Sequence, residues 1–389
     1  MRSRGRLAVL LVSLPVITYA VVGGFMGKAI AREDSYQSLR IFEDVVTLIM
    51  NSYVEDVKVD EVMHGAMHGL ADGLDPDSAY LTAEQVAAFE RRDQNGPADV
   101  GLELTRQYYL RVIAARDGSP AALAGLRAGD YIRAIDGQST RDTSVVAGQQ
   151  LLRGKAGTPV RLTVLRGNAA EPHAVELTRE ARPALPARGR LAANLTGYVR
   201  IAEFDRQTAS QVKAEVGKLT TAGATRLVLD VRGTAFGDVE AGLDTARLFV
   251  PDGVLTYRQD RGKEKEAVSA ARADGALTLP LAVLVDFGTS GPAEVLAAAL
   301  AGNDRAMLVG ERTLGRAARQ KLVRLPDGSG LILTHLLYLT PGSEAIHEKG
   351  LTPAVVVERA EVEFGQQPSG DPALDKAIES LGAAARPAA

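Results

Sequence analysis

The sequence predicts an α+β multidomain protein with a helical N-terminal region, a compact β-rich module and an α/β core. Three observations predict it. Apolar residues recur at roughly helical spacing from Ser35 to Leu74. Short β-like runs separated by turn signals fill residues 98 to about 170. From Gly197 onward strands alternate with helices, the pattern of a mainly parallel sheet covered on both faces. A chain of 389 residues with 46% hydrophobic residues has the material for two or three such cores.

The first 31 residues stand apart. Arg2, Arg4 and Arg6 precede an uncharged, mostly apolar segment from Leu7 to Phe25. A positive start before an apolar run is the pattern of an export signal. The run is long for a cleaved signal and just long enough to span a bilayer. Ala29-Ile30-Ala31 offers a small-x-small cleavage site, with Lys28 awkwardly beside it. An uncleaved inner-membrane anchor is the first expectation and a cleaved signal the second. Arginines left in the cytoplasm place the remainder outside the inner membrane, so the expected location is periplasmic or extracytoplasmic. Residues 1–30 hold four positive charges and no negative ones, so the rest of the chain carries −7 where the whole carries −3. No long basic block supports nucleic-acid binding. With no cysteine in the chain, stability must come from its cores.

The elements follow in order. Two helical runs end near Gly73, the second from Val59 to Leu70, and Asp75-Pro76-Asp77-Ser78 makes a turn. Thr82 and Gln85 have the spacing of a capping box for a short helix. Val100–Leu104, Tyr109–Ala114, Tyr131–Ile135 and Val160–Arg166 read as strands, and Ser144–Leu152 as a helix. In the core, strands at Tyr198–Ile201, Leu227–Val231, Leu281–Val285 and Ala306–Val309 are separated by helices. The end turns β-rich again at Lys321–Leu325, Leu331–Leu339 and Val355–Val357, before a helix at Asp371–Leu381. The mixed-charge run Arg258–Glu266 reads as a solvated loop. His64 and His68 have a metal-compatible spacing without a third ligand, so no metal or other cofactor is expected.

Ser119 to Gly137 closely resembles the PDZ pattern S-P-A-x-x-A-G-L-x-x-G-D-x-I-x-x-I-D-G. A PDZ domain offers a sheet edge to which a peptide adds as a strand, with loop N–H groups for its terminal carboxylate. The resemblance places that site at Val100, Gly101, Leu102, Glu103 and Leu104, with Gly101 permitting close backbone approach.

From about Tyr36 to Leu381 the chain resembles C-terminal processing peptidases, also called tail-specific proteases. Leu74-Asp75-Pro76-Asp77-Ser78-Ala79-Tyr80-Leu81 resembles their L-D-P-H-S-x-Y-L, and Gly197-Tyr198-Val199-Arg200-Ile201 their G-Y-I-x-I strand. Leu229-Asp230-Val231-Arg232 resembles L-D-L-R, and Tyr338-x-Thr340-Pro341-x-Ser343 and Lys349-Gly350-Leu351-Thr352-Pro353 resemble Y-x-T-P-x-G and K-G-I-x-P-D imperfectly. The expected division is therefore 1–31 signal or anchor, 32–95 helical region, 96–170 PDZ domain, 171–365 tail-specific-protease core, and 366–389 C-terminal helix and tail.

That family uses a serine nucleophile and a lysine base. In the matching stretch Gly288-Thr289-Ser290-Gly291-Pro292-Ala293-Glu294 the nucleophile position is Gly291, with no side chain. In Thr313-Leu314-Gly315-Arg316-Ala317-Ala318-Arg319-Gln320 the base position is Arg316, while Gln320 keeps the third polar position. A guanidinium stays protonated in proteins and cannot take a serine proton. Phe236 stands for the first glycine of the oxyanion loop, beside Gly237. Ser290 is the fallback nucleophile, but Pro292 at N1 and Glu294 at N3 make Gly291 the N-cap and leave Ser290 outside the helix. Its plain reading is a loop hydroxyl bonded to nearby backbone, and Lys321 reads as a surface lysine. The resemblance thus implies an exported pseudopeptidase that binds peptide C-termini or a protein partner without cutting. An active relative joined through the helical region, in an oligomer, is one such partner. The alternatives are an active serine endopeptidase using Ser290 with an unfamiliar base, and a structural adaptor that binds no tails.

Overall fold

The structure is a computed structural model that describes residues 37–91, 98–167, 171–181, 183–271, 274–359, 362–364, 366 and 370–384. The expected signal or anchor at 1–31 lies outside them. Among the described residues no helix is long and apolar enough to cross a membrane.

The chain divides into two units, Met1–Leu70 and Ala71–Ala389. In the first, helix α1 covers residues 37–52 and α2 begins at Val59, running Val59–Asp72. No residue from 37 to 70 is buried. Ile41, Val45 and Leu48, spaced i, i+4, i+7, form an exposed apolar stripe on α1.

The second unit begins with β1 (Ala79–Leu81) and α3 (Ala83–Glu90). Thr82 and Gln85 close the expected capping box at the start of α3. A β-rich module follows. Its strands are β2 (Ala98–Asp99), β3 (Leu102–Gln107), β4 (Tyr109–Ala115), β5 (Tyr131–Ile135), β6 (Gln138–Ser139), β7 (Pro159–Leu165), β8 (His173–Thr178) and β9 (Glu180–Ala181). Helices α4 (Pro120–Leu123) and α5 (Val145–Leu152) complete it. The sheet order is β3-β4-β5-β7-β8 with β6 on β5, so β3 is an edge strand beside α5. Strand β8, beyond the 96–170 span expected for this module, pairs with β7 and adds Leu177 to its core.

The core contains β10 (Arg188–Ala192), β11 (Thr196–Arg200), α6 (Thr208–Thr221), β12 (Arg226–Asp230) and α7 (Val239–Arg247). It continues with β13 (Val254–Asp260), β14 (Glu266–Ser269), β15 (Leu281–Val285), α8 (Pro292–Gly302) and β16 (Met307–Gly310). The last elements are β17 (Ala318–Arg324), β18 (Gly330–Leu339), β19 (Val355–Val356) and α9 (Pro372–Ala384). The central sheet has the order β10-β11-β12-β15-β16-β19, parallel from β11 to β19 as the alternation of strands and helices predicts. Side chains alternate across it. Leu227 and Leu229 face α6, α7 and α8, whereas Val228, Ala282 and Leu284 face α9. Both faces are covered, which is why these strands are continuous apolar runs.

A second sheet joins β1, β18, β13 and β14, with β17 on the other edge of β18. It corrects one expectation. Arg258–Glu266 is not a plain solvated loop: Arg258 to Asp260 lie in β13, Glu266 begins β14, and the run forms a hairpin tip. Arg258 also bonds Glu240 of α7.

Leu284→Ala would empty the contact between β15 and α9. The expected loss, read by denaturant unfolding, is about 2–5 kcal/mol for a fully buried leucine. A loss within experimental error would mean that α9 does not cover that face.

Candidate functional site

The sequence-matched positions converge where the parallel strands end, the usual place for a site in an α/β sheet. After β15, Thr289 Oγ1 donates to the Val231 carbonyl (2.9 Å) and Ser290 N–H to the Thr234 carbonyl (3.0 Å). These bonds fasten the β15–α8 turn to the loop after β12. The turn ends at Gly291, the N-cap of α8, at φ 57°, ψ −116°. That backbone is strained for a residue with a Cβ, though space itself is open. A Cβ there would meet only the Arg316 carbonyl, at 4.0 Å.

Glu294, at N3 of α8, is fully buried. It accepts hydrogen bonds from Thr313 Oγ1, Gly315 N–H (2.6 Å) and Arg316 N–H (2.7 Å). Burial pushes its pKa up to about 7 against those donors. The carboxyl thereby fixes the backbone of residue 316 beside Gly291.

The Arg316 side chain lies between two carboxylates. Its Nε is 2.9 Å from Asp77 Oδ1 and donates to Oδ2 at 3.0 Å, and its Nη1 donates to Glu103 Oε1 at 2.6 Å. Burial by itself would lower the guanidinium pKa, but Asp77 and Glu103 hold it above the ordinary arginine value. Asp75 is the turn former expected, accepting from Asp77 and Ser78 N–H (2.9 and 2.7 Å). Asp77 does more than form the turn, since its carboxylate faces Arg316.

Ser290 Oγ does not make the expected bond to backbone. It is 1% exposed and has no hydrogen-bond partner, because the residue is tied down through its N–H instead. Among the described residues no hydrogen-bond acceptor is paired with it. Gln320, on β17, donates to Thr334 Oγ1 (3.3 Å), and Lys321 is exposed. Phe236 is buried in an apolar cluster with Ile113 and Ala114 of β4 and with Leu314. Its carbonyl accepts from Phe204 N–H (3.0 Å), and Gly237 bridges to Phe204. The nearby Gly233 N–H is taken by Asp286 Oδ1 (2.8 Å).

A sequence profile of Peptidase family S41 matches residues 195–357, and a PDZ-domain profile matches 111–166. The carboxyl-terminal-processing protease of Synechocystis sp. is 32% identical over 328 residues, covering 82% of this chain and 77% of that protein. The chain belongs to the carboxyl-terminal-processing protease family. The carboxy-terminal-processing protease of Bartonella bacilliformis is 28% identical over 334 residues, covering 84% and 76%. A solved structure titled photosystem II D1 C-terminal processing protease aligns with a TM-score of 0.68 at 29% identity, covering 82% of this chain and 92% of that one.

Within this member of the family, the PDZ domain is fastened over the site. Glu103 reaches Arg316, and Phe236 and Leu314 pack on β4. Arg116 binds Glu203, Arg200 binds Asp117 at 2.8 Å, and the Arg111 guanidinium lies 4.5 Å from the Phe287 ring centroid. In the loop expected to bind peptide, one N–H group and two carbonyls are already bonded. Gly101 N–H donates to the buried Asp99 (Oδ1, 2.8 Å), Val100 O accepts from Ala121, and Leu102 O from Gln149. Gly101 is required for another reason: a Cβ there would lie 2.2 Å from Ser119 Cβ. Leu104 is core. Among the described residues no group of three or more His, Cys, Asp or Glu could hold a metal, which leaves His64 and His68 without a wider ligand set.

The raised Glu294 pKa fixes a pH dependence. A carboxyl that binds its proton more tightly when folded adds stability below about pH 4.5 and loses it as pH rises through about 7. Thermal unfolding of wild type and Glu294→Gln should therefore show a wild-type advantage that shrinks across that window. A constant difference would contradict the assignment.

Proposed function

We propose that this chain is an exported, PDZ-containing pseudopeptidase that binds peptide C-termini or a protein partner without cleaving them. One observation carries the reading. The base position is a guanidinium clamped by Asp77 and Glu103, and the nucleophile position, with the Arg316 carbonyl as its neighbour, has no side chain. Hydrolysis by a serine mechanism needs an oxygen nucleophile and a neighbour able to take its proton. Ser290 does not substitute, because its hydroxyl is buried without any base beside it.

The binding half rests on the PDZ groove. Edge strand β3 and helix α5 flank a cavity of about 280 Å³ lined in part by Val145, Gln149, Arg153 and Arg316. Asp99 already occupies the Gly101 N–H, and Asp77 and Glu103 hold Arg316, so a terminal carboxylate would enter the cavity on its Arg153 side. Export and inner-membrane attachment rest on the arginines and apolar run of residues 1–31. A partner such as an active relative, in an oligomer, fits the exposed stripe Ile41, Val45, Leu48 on a helix with no buried residue.

Incubation with unfolded substrates and a serine-reactive fluorophosphonate should give no cleavage and no labelling. Cleavage or labelling that disappears in Ser290→Ala would overturn the reading. Gly291→Ser with Arg316→Lys should remain unlabelled, because a lysine at 316 would inherit both carboxylates and keep its proton. For tails, peptides with free C-termini should bind more tightly than their amidated forms. Equal affinities would remove carboxylate recognition.

A further inference from the structure

Strand β4 pairs along one side of β3, and among the described residues no strand pairs along the other. Helix α5 lies beside that open edge. The orientation of the groove between them is fixed at one end. Gly154, which follows α5 and Arg153, donates its N–H to the Ala98 carbonyl at 3.0 Å. Arg153 and the C-terminal end of α5 therefore sit at the start of β3. A tail whose carboxylate enters on the Arg153 side would lay its last residue against Leu102.

The chain's own groups already occupy this place. Gln149, on α5, reaches across and donates from Nε2 to the Leu102 carbonyl at 3.2 Å. Gln149 also lines the cavity of about 280 Å³. One residue back from Leu102, the Gly101 N–H is taken by Asp99 Oδ1 at 2.8 Å. A tail adding to a sheet edge makes two kinds of contact: its carboxylate accepts from loop N–H groups, and its own N–H donates to a strand carbonyl. Here a carboxylate and an amide from the chain itself supply one of each. A carbonyl oxygen can accept a second bond, but that does not admit a second strand. An added strand would lie about 4.8 Å from β3, in the space that the Gln149 side chain crosses. The helix itself is anchored. Arg179 donates to the Leu151 and Leu152 carbonyls at the end of α5, at 2.8 and 3.1 Å. Clearing the edge is thus a matter of turning one side chain aside.

We propose that Gln149 is a gate on the PDZ groove: its amide holds the Leu102 carbonyl in place of a tail's terminal N–H, and a tail binds by displacing it. The proposal rests on the tail-binding reading above and names the residue that sets the affinity of that site. The contact keeps an edge carbonyl paired when no tail is present. It also makes each tail replace a hydrogen bond before it gains one, so a weakly fitting tail is excluded.

The test uses the full-length chain and a fluorescein-labelled Gly-Ser-Gly-Val-Ala peptide, as the free acid and as the amide. Fluorescence anisotropy should show saturable binding of the free acid to wild type. Both Gln149→Ala and Gln149→Met should bind it about threefold to tenfold more tightly, the usual net worth of one hydrogen bond. Gln150→Ala, from the same helix and the same cavity, should bind like wild type. Thermal unfolding reports whether each variant is folded. Unchanged or weaker binding in both Gln149 variants would sink the gate and leave tail binding standing. An equal gain in Gln150→Ala would do the same, as would a gain in Gln149→Met alone, which apolar bulk explains. If no protein binds the free acid, or all bind the amide equally well, the tail-binding reading fails and the gate fails with it.

Discussion

The Arg316 guanidinium, held between Asp77 and Glu103, is the interaction on which the site depends. Its three groups come from separate parts of the chain: a turn before β1, the edge strand of the PDZ domain, and the segment after β16. Glu294 fixes the arginine's backbone, so both ends of the residue are held. A half-buried arginine bonded to two carboxylates is a strong tie where a lone surface pair would be a weak one. It also removes the prospect of a neutral amine at that place, because each carboxylate favours the charged form.

The oxyanion-loop position follows the same logic by apolar means. Phe236 does not simply crowd a catalytic pocket; it packs on Ile113, Ala114 and Leu314, between the loop and β4. Two positions that the resemblance assigns to catalysis thus contact the PDZ domain, one through charge and one through packing. This supports a fixed arrangement of PDZ domain and core.

Much of this was legible in the sequence. The capping box at Thr82, the parallel core and the placement of Gly291 at the start of α8 follow from local patterns that the fold respects. The β13–β14 hairpin was hidden because its tip carries charges of both signs, which mask any apolar alternation. Strand β8 was missed because only Val175 and Leu177 pack on its core, too short a signal to read alone. Asp77 read as a turn residue because its partner lies 239 positions away, a separation no local pattern reports. Gly101 read as a place for close backbone approach, and its packing on Ser119 is a second demand for glycine that the sequence did not report.

The central claim is that Arg316 ties the PDZ domain to the core through charge. A double-mutant cycle in denaturant unfolding, with Glu103→Gln and Arg316→Gln singly and together, measures that tie directly. A coupling energy of about 1–3 kcal/mol is expected for a partly buried, charge-assisted pair. Additive effects, with coupling indistinguishable from zero, would contradict it.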